Sequence, residues 1–421
     1  MFGVYANAFK VKDIRRKLFY VALVLLIFRV GSRIPLPGFN MAEFTDQFVG
    51  DFGIIGMIVG GEHGTIFAMG IGPYITASII MQLLTVAIPK LEQLKKEGEE
   101  GRKKINQYTR ILAVTMAVLQ AGGMVFSWTN FFHYSHIFVY AVAALTMIAG
   151  TMFIMWMSEL LTEKAIGNGA SFIIFANILA SLPMGVMTLY NASLGSVWNA
   201  ITVTIILVLF VFIVGFAVLV QEGQRKIPVQ YSKKMVGRQT YGGQSSFIPV
   251  KVNIAGVMSI IFAMSLLGLP QQLLMFFPPA DPMNPSGFLY SAVNFLSISA
   301  PTGAVIYVVL IFAFTFFYTS FAVNPVEMAE NLKKNGGFIP GIRPGKPTSD
   351  YISRTVNRLS WIGAVCYSII ALIPVIIEWV FGVPVGFGGT TLLITVGVAL
   401  ELVKQLESQL LMRNYKGFLQ S

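Results

Sequence analysis

Charged residues and cysteine are both scarce in this chain of 421 residues. Only 12% of its residues are charged while 55% are hydrophobic, and its mean hydropathy is +0.71. Soluble proteins carry roughly 25% charged residues, so the composition excludes a soluble globular protein and indicates an integral membrane protein. The single cysteine, Cys366, excludes an internal disulfide and a cysteine metal cluster.

The sequence also lacks the short motifs of common enzymes and nucleotide-binding proteins. It contains no GxxxxGKS/T, HExxH or GxSxG pattern. His133 and His136 have the spacing HxxH, but no cysteine or carboxylate stands near them in the sequence to complete a metal site. We therefore expect no catalytic residue, no metal and no cofactor. Any energy for the chain's work has to come from a partner or from the membrane potential.

Ten apolar runs are present, and each is long enough to cross the ~30 Å hydrocarbon core of a bilayer. If residues 1–17 lie in the cytosol, every lysine and arginine except Arg29 and Arg33 falls on the cytosolic side. This is the positive-inside pattern, and it places both termini in the cytosol. The runs cover residues 18–34, 71–88, 108–127, 137–158, 171–188, 201–221, 253–277, 303–323, 357–377 and 386–403.

The ten spans divide into two groups of five. The N-terminal half covers residues 1–183, an external hinge loop covers 184–200, and the C-terminal half covers 201–421. Because each half holds an odd number of spans, the second half is inverted relative to the first, as in transporters with a working site between two halves. The expected fold is therefore an all-α polytopic membrane protein with ten transmembrane helices in two inverted, pseudo-symmetric halves.

Two predicted cytosolic loops are longer than a chain reversal needs. Residues 222–252 alternate polar and apolar side chains around a glycine-rich turn, which predicts a β-hairpin. Within residues 324–356, the pattern predicts a short helix over about 325–334, ended by two glycines and followed by a proline-punctuated loop. Loops of this length are usually functional or disordered.

An apolar, glycine-rich stretch of about residues 48–64 precedes the second span and is too short to cross the membrane. Seven glycines from Gly53 to Gly72 disfavour a continuous helix. One interpretation is an external loop on the surface. The other is a re-entrant plug helix in a funnel between the two halves, because non-helical apolar backbone at membrane depth has to be buried in protein or line a cavity.

Aliphatic residues recur at helical spacing where two spans begin. Ile71 and Ile75 lie four residues apart at the start of span 2, and Ala170 and Ile174 repeat this spacing at the start of span 5. Each pair therefore shares a helix face. Ordinary core or lipid packing accounts for such pairs as well as a pore lining does.

Several longer motifs resemble those of the bacterial SecY family, the channel subunits of the general protein translocase. They are "GIGPYITASIIMQLLTVAIP", "KKEGEEGRKKINQYTR", "GTMFIMW", "EKAIGNGAS", "VNPVEMAENLKKNGGFIPGIRPG" and "FGGTTLLITV". The resemblance covers essentially the whole chain and implies a ten-helix clamshell with an hourglass pore. Such a channel, which is not an enzyme, passes unfolded secretory polypeptides across the bacterial cell membrane. It also releases hydrophobic segments sideways into lipid, and a cytosolic motor or ribosome drives it.

The resemblance also implies roles for individual residues. A lateral gate between spans 2 and 3 and spans 7 and 8 places Thr76 opposite Leu269. Ala170 departs from the bulkier aliphatic residue that is usual in the family's pore ring, so this ring would be slightly wider or depend more on the plug. The implied plug comprises Phe52, Ile54, Ile55, Met57, Ile58 and Val59, and the implied pore ring comprises Ile71, Ile75, Ala170, Ile174, Ile261 and Ile394.

The family's partners follow from the same resemblance. They are the membrane subunits SecE and SecG, the motor ATPase SecA, the ribosome, the translocating polypeptide with its signal sequence, and the lipid bilayer. Arg343, in "GIRPG", is the position most closely tied to partner function. Lys233, Lys234 and Arg238 could contact RNA phosphates or acidic patches, although such charges also serve simply to hold the topology.

A broken-helix secondary transporter of a small solute is the alternative function. It would share the inverted halves and the glycine breaks. Ion-coupled transport needs buried carboxylates or histidines, however, and the spans contain few charged residues, with Arg29 the clear case. This scarcity and the basic loops favour the polypeptide channel, and a purely structural scaffold leaves the plug-like stretch unexplained.

Overall fold

A computed structural model gives the fold and describes residues 11–41, 43–44, 64–164, 168–193, 197–231, 234–236, 239–241, 245–252, 254–274, 276, 287–298, 300–381 and 389–418. Thirteen α-helices and five β-strands lie within these residues. The helices are α1 (Lys12–Gly31), α2 (Gly72–Ala87), α3 (Pro89–Lys96), α4 (Glu99–Ser127), α5 (Ile137–Lys164), α6 (Gly169–Ser193), α7 (Val197–Glu222), α8 (Met258–Leu274), α9 (Phe288–Leu296), α10 (Pro301–Ala322), α11 (Pro325–Lys334), α12 (Lys346–Phe381) and α13 (Gly389–Phe418). The strands are β1 (Gln224–Tyr231), β2 (Lys234–Val236), β3 (Gln239–Tyr241), β4 (Ser245–Lys251) and β5 (Gly337–Phe338).

Each of the ten apolar runs coincides with one helix or with part of one. These helices are α1, α2, α4 to α8, α10, α12 and α13. Among the described helices, five are long and apolar enough to cross a membrane by length and composition alone. α2 and α3 together make a sixth candidate, bent by 100° at the break between them. α2 and α8, with 16 and 17 residues, are shorter than a typical span.

Prolines set both ends of α2. Pro73 occupies the first turn, where the backbone N–H that proline lacks would have no partner. Pro89 restricts the residue before it, Ile88, to extended backbone (φ −109°, ψ 113°). The chain therefore leaves α2 sharply and turns into α3. Gly98, at φ +80°, makes the next reversal into α4.

The two long loops form one unit, which we call the sheet lobe (residues 224–251 and 325–359). β1 pairs antiparallel with β4, with Ile227 opposite Ile248, which confirms the predicted hairpin. β5, from the second loop, adds to the other edge of β1, with Gln230 opposite Phe338. The sequence pattern does not predict this pairing between loops that are far apart in the chain.

The short helix of the second loop has the predicted bounds. α11 covers Pro325–Lys334, and the side chain of Asn324 caps it by accepting a hydrogen bond from the backbone N–H of Glu327 at 3.3 Å. Gly336, at φ +69°, then reverses the chain. The predicted termination is thereby confirmed.

The loop after α11 is shorter than the sequence pattern predicts, because α12 begins at Lys346 and not near residue 357. The added helical turns carry Ile352 and Val356, which share one face of the helix with Leu359 at the start of the run. All three are buried against the hairpin in the core of the sheet lobe. Tertiary packing of this face therefore extends the helix beyond its apolar run.

Most of the long helices share one hydrophobic core. The main cluster of buried side chains takes residues from α1, α2, α5, α6, α7, α8, α10, α12 and α13. A separate aromatic cluster includes Phe39, Phe44, Trp128 and Phe132. The ring centroid of Phe39 lies 5.2 to 5.7 Å from those of the other three, and that of Phe44 lies 5.2 Å from that of Trp128. This cluster ties the segment after α1 to the end of α4.

Candidate functional site

The six predicted ring positions lie together in the main hydrophobic core. Each of the five isoleucines exposes 8% or less of its surface, and Ala170 packs half-buried against the same cluster. The positions come from the start of α2, the start of α6, α8 and α13. The six aliphatic side chains from four helices thus belong to one buried cluster, and all five isoleucines are withdrawn from solvent.

The start of α2 fixes two of these side chains. Ile71 is the residue at the N-terminal cap of the helix, and its carbonyl accepts a hydrogen bond from the N–H of Ile75 at 3.1 Å. The two side chains therefore stack on one face one turn apart. Gly70, at φ +53°, allows the chain to turn into this position.

The predicted plug residues Phe52, Ile54, Ile55, Met57, Ile58 and Val59 lie outside the described part of the chain. The described residues on either side of this stretch are joined by backbone hydrogen bonds. The N–H of Leu36 donates to the carbonyl of Gly64 at 2.9 Å, and the N–H of Ile66 donates to that of Ile34 at 3.0 Å. We call this pairing the neck (residues 34–36 and 64–66), and it holds the described residues before and after the predicted plug side by side.

Phe67 anchors the neck in the helix bundle. Its ring is 3% exposed and stacks between two phenylalanines, with its centroid 5.9 Å from that of Phe28 on α1 and 6.1 Å from that of Phe153 on α5. Gly31 and Gly150 provide the room, because a Cβ on either would collide with this segment. The predicted roles do not include Phe67, although the glycines inside apolar spans are a sequence signal of close approach.

The predicted lateral gate corresponds to a packed seam, in which α2, α3 and α4 face α8 and α10. Both α2 and α4 pack against α8. Thr76 is buried on α2, and Leu269 is half-buried on α8. The seam is therefore closed along these helices.

A side-chain hydrogen bond crosses the seam between two glutamines that the predicted roles leave out. Nε2 of Gln120 on α4 donates to Oε1 of Gln272 on α8 at 2.9 Å, in a partly buried setting. Polar side chains are costly within apolar spans unless they find a partner. A glutamine within each of two apolar runs was the sequence signal that could have indicated this contact.

A second contact across the seam joins α3 to α10. Nζ of Lys95 lies 2.9 Å from the centroid of the Phe321 ring, within cation–π range. Partial burial lowers the pKa of the Lys95 ammonium, and the positive charge of Arg102 lowers it further. The ammonium is thus partly withdrawn from water, which strengthens its attraction to the ring.

Ion pairs bind helices that lie on one side of the seam. Arg110 on α4 forms two hydrogen bonds to Glu159 on α5, from Nε at 2.7 Å and from Nη2 at 2.6 Å. Lys404 on α13 pairs with Glu222 on α7 at 2.8 Å. No group of three or more potential metal ligands occurs in the portion of the chain that the structure covers.

Arg343 is exposed on the sheet lobe, in a turn that its backbone holds in place. Its carbonyl accepts a hydrogen bond from Oγ1 of Thr348 at 2.8 Å. Gly341 and Gly345, at φ +81° and +105°, flank it in backbone that other residues rarely adopt. Lys234 lies in β2, whereas Lys233 and Arg238 fall outside the described residues.

Comparison with known proteins identifies the family. The SecY family model matches residues 65–403. This chain belongs to the SecY family. It is 44% identical over 442 residues to the protein translocase subunit SecY of Streptomyces coelicolor, and 43% identical over 435 residues to that of Halalkalibacterium halodurans. In both cases the alignment covers 100% of each chain.

Solved SecY-family structures share the fold. One, a SecY whose plug domain stabilises the closed state of its translocation channel and maintains a membrane seal, matches with a TM-score of 0.67 at 19% identity. The match covers 93% of this chain and 91% of that one. Sec61 from a canine ribosome–channel complex of the endoplasmic reticulum matches with a TM-score of 0.63, 19% identity and the same coverage.

The family confirms the expected class of protein. The chain is a membrane channel protein with the mostly helical, polytopic SecY fold, to which the structure adds the strands of the sheet lobe. The expectation that it is a translocase subunit and not an enzyme is also confirmed. The roles of the ring, plug, gate and docking residues, and the division into halves, stay predictions.

Proposed function

We propose that this chain is the protein-conducting channel of a bacterial translocase. It passes unfolded secretory polypeptides across the cell membrane and releases hydrophobic segments sideways into lipid. The observation that carries the proposal is that the six aliphatic ring positions, which come from four helices, lie in one hydrophobic cluster, with all five isoleucines buried. The stretch predicted to be the plug ends shortly before Ile71, the first of these positions.

An aliphatic ring suits a channel for chains of any sequence. Aliphatic side chains yield around a passing polypeptide and make no strong polar bond to it. When they close, the constriction loses its water and blocks ions. Burying one isoleucine is worth roughly 1.5–3 kcal/mol relative to water, so the five buried isoleucines strongly favour the closed ring over a wetted one.

The plug and the lateral gate complete the mechanism. Residues 48–64 seal the external side of the ring in the resting channel, and the neck keeps their base in place when they move. The seam between α2 to α4 and α8 with α10 opens to lipid. An apolar segment then leaves sideways, because each central leucine favours transfer into lipid by about 0.5 kcal/mol. A polar segment continues outward, because a central lysine disfavours this transfer by about 3 kcal/mol.

The sheet lobe is the docking face for the partner that drives transport. We place it, with both termini, in the cytosol of a bacterial cell, where the motor ATPase SecA or the ribosome binds near Arg343 and Lys234 of β2. The occurrence of Sec61 in a ribosome–channel complex supports the ribosome as one partner. SecE and SecG are the expected membrane partners, and the proposed inverted halves (1–183 and 201–421, hinged at 184–200) open as a clamshell.

A crosslinking scan tests the function. Cys366 is replaced by serine, single cysteines replace Ile71, Ile174, Ile261 or Ile394, and a secretory polypeptide with one cysteine is stalled partway through export. All four positions are expected to trap the stalled polypeptide. Val208→Cys is the matched control, because Val208 is 64% exposed on the outer face of α7 and should not react with it.

The scan also separates the channel from the small-solute transporter. If no ring cysteine traps the polypeptide while vesicles that contain the protein accumulate a small solute, the transporter is correct and the ring is only core packing. If Val208→Cys traps the polypeptide as well as the ring positions do, the path does not run through the ring.

A further inference from the structure

The seam is held at two places that lie far apart. Gln120 and Gln272 meet near the far end of α4, about 30 Å along the helix from its start. Lys95 and Phe321 meet at the opposite end, where α3 faces the last turn of α10. Phe317 stacks on Phe321, with centroids 6.5 Å apart and planes at 13°, so the ring that Lys95 contacts is itself supported.

We propose that Lys95 and Phe321 form a second clasp of the lateral gate, which sets how hydrophobic a segment has to be to open it. This inference rests on the lateral gate of the proposed function. The two residues are positioning residues, since they act on the gate helices and not on the transported chain itself.

The neighbouring lysine shows that this contact is particular to Lys95. Lys96 points its ammonium to Glu92 within α3, at 2.6 Å, in the ordinary manner of an exposed helical lysine. Lys95 is half-buried and reaches instead across the seam to the opposite wall. Its ammonium gains from the face of an aromatic ring what it loses in contact with water.

The contact biases the gate because only the closed state contains it. Opening the seam separates α3 from α10 and returns the ammonium to water. A strongly hydrophobic segment offsets this loss easily by its transfer to lipid, but a weak one does not. The clasp therefore discriminates most among segments of marginal hydrophobicity. A cation–π pair in a half-buried setting corresponds to about a fivefold bias toward the closed gate.

The test uses the complete translocase in proteoliposomes. The substrates are one secretory protein whose signal sequence has its leucines replaced stepwise by alanine. Lys95→Met keeps a long, flexible side chain but removes its charge. Phe321→Leu keeps an apolar side chain but removes the aromatic ring. Each is expected to raise export of the weakest signals about fivefold and to leave export of the strongest signal unchanged, which also shows that the variants fold.

Coupling between the two residues is the decisive readout. The double variant should export weak signals no better than either single variant, and Lys95→Arg should behave as the native protein. Lys96→Met is the matched control and should change nothing. If the increases in export caused by the two single variants add in the double variant, or if Lys96→Met has an equal effect, no clasp exists.

Failure of this inference is distinguishable from failure of the proposed function. If the ring cysteines trap a stalled polypeptide but Lys95→Met leaves the export of weak signals unchanged, the channel stands and the clasp is wrong. If the ring cysteines trap nothing, the proposed function falls, and the clasp falls with it.

Discussion

The tight packing around Phe67 predicts that alanine is not tolerated at two glycines. Gly31 and Gly150 leave space for the segment that follows the proposed plug. A Cβ on Gly31 would lie 2.6 Å from Cζ and 2.7 Å from Cδ2 of the Phe67 ring, and one on Gly150 would lie 3.1 Å from Cδ1. Carbon atoms in contact are ordinarily about 3.5–4.0 Å apart. Gly31→Ala and Gly150→Ala therefore both force this segment out of position.

The expected cost follows from overpacking. Inserting a methyl group into a filled site costs about 1–3 kcal/mol, while replacing glycine by alanine inside a helix returns up to about 1 kcal/mol. Both variants should thus be less stable than the native protein, by about 1–2 kcal/mol, and should leak ions. Gly215→Ala is the matched control, because nothing lies within 4 Å of its added Cβ. It should be as stable as the native protein or slightly more stable.

A second substitution separates the two glycines. The three atoms nearest to a Cβ on Gly31 all belong to the ring of Phe67, whereas the Cβ on Gly150 comes closest to the backbone oxygen of Ile66. In a Phe67→Ala background, Gly31→Ala should no longer destabilise, while Gly150→Ala still should. Thermal unfolding of the purified protein and resting ion flux into proteoliposomes measure both effects. If Gly31→Ala lowers the thermal stability as much without the Phe67 ring as with it, a collision with this ring is not what disfavours alanine at position 31.

Four further predictions concern the ring, the seam, the helix pairs and the sheet lobe. Ile394→Asn removes roughly 1.5–3 kcal/mol of dry contact and should raise resting ion flux about 10- to 100-fold, whereas Ile394→Leu should not. Gln120→Leu leaves the side-chain amide of Gln272 without its partner and destabilises the closed seam by about 1 kcal/mol. Export of weak signals should therefore rise, and unchanged export would show that this hydrogen bond does not hold the gate closed. Arg110→Gln breaks a bidentate pair that is partly exposed, and thermal unfolding should show a loss of about 1 kcal/mol at most. Arg343→Glu should abolish binding of the driving partner in a sedimentation assay, whereas Lys334→Glu, an equal charge change on the same lobe, should weaken it only slightly; equal losses would mean that net charge alone matters.

Local patterns in the sequence were sufficient for the presence of the ten long helices, for α11 and for the hairpin. α11 has the predicted bounds because its start and stop signals, Asn324–Pro325 and Gly336, lie within a few residues of the helix itself. The pairing of β1 with β4 likewise follows from alternation over adjacent strands. The ring positions came from family resemblance, and the structure brings them together in one cluster.

Contacts between distant segments could not be predicted in this way. The pairing of β5 with β1 depends on the docking of two separate loops, and no local pattern in either loop encodes its partner. The early start of α12 has the same cause, since Ile352 is buried in a core that also takes residues from the hairpin and from α11. Lys95 resembles any exposed lysine in a charged helix until the structure places Phe321 beside it.

The kinds of contact on the two sides of the seam agree with a gate. Arg110–Glu159 and Lys404–Glu222 are charge-assisted pairs, and each joins two helices of the same proposed half. These partly exposed pairs are worth no more than the neutral amide pair and the cation–π contact across the seam. The helix packing differs, however, because α2 packs far more extensively on α4, and α10 on α12, than α2 and α4 do on α8. A force that separates the halves therefore breaks the seam first and leaves each half intact. A channel that has to open sideways for some segments, and stay closed for others, needs this order of strengths.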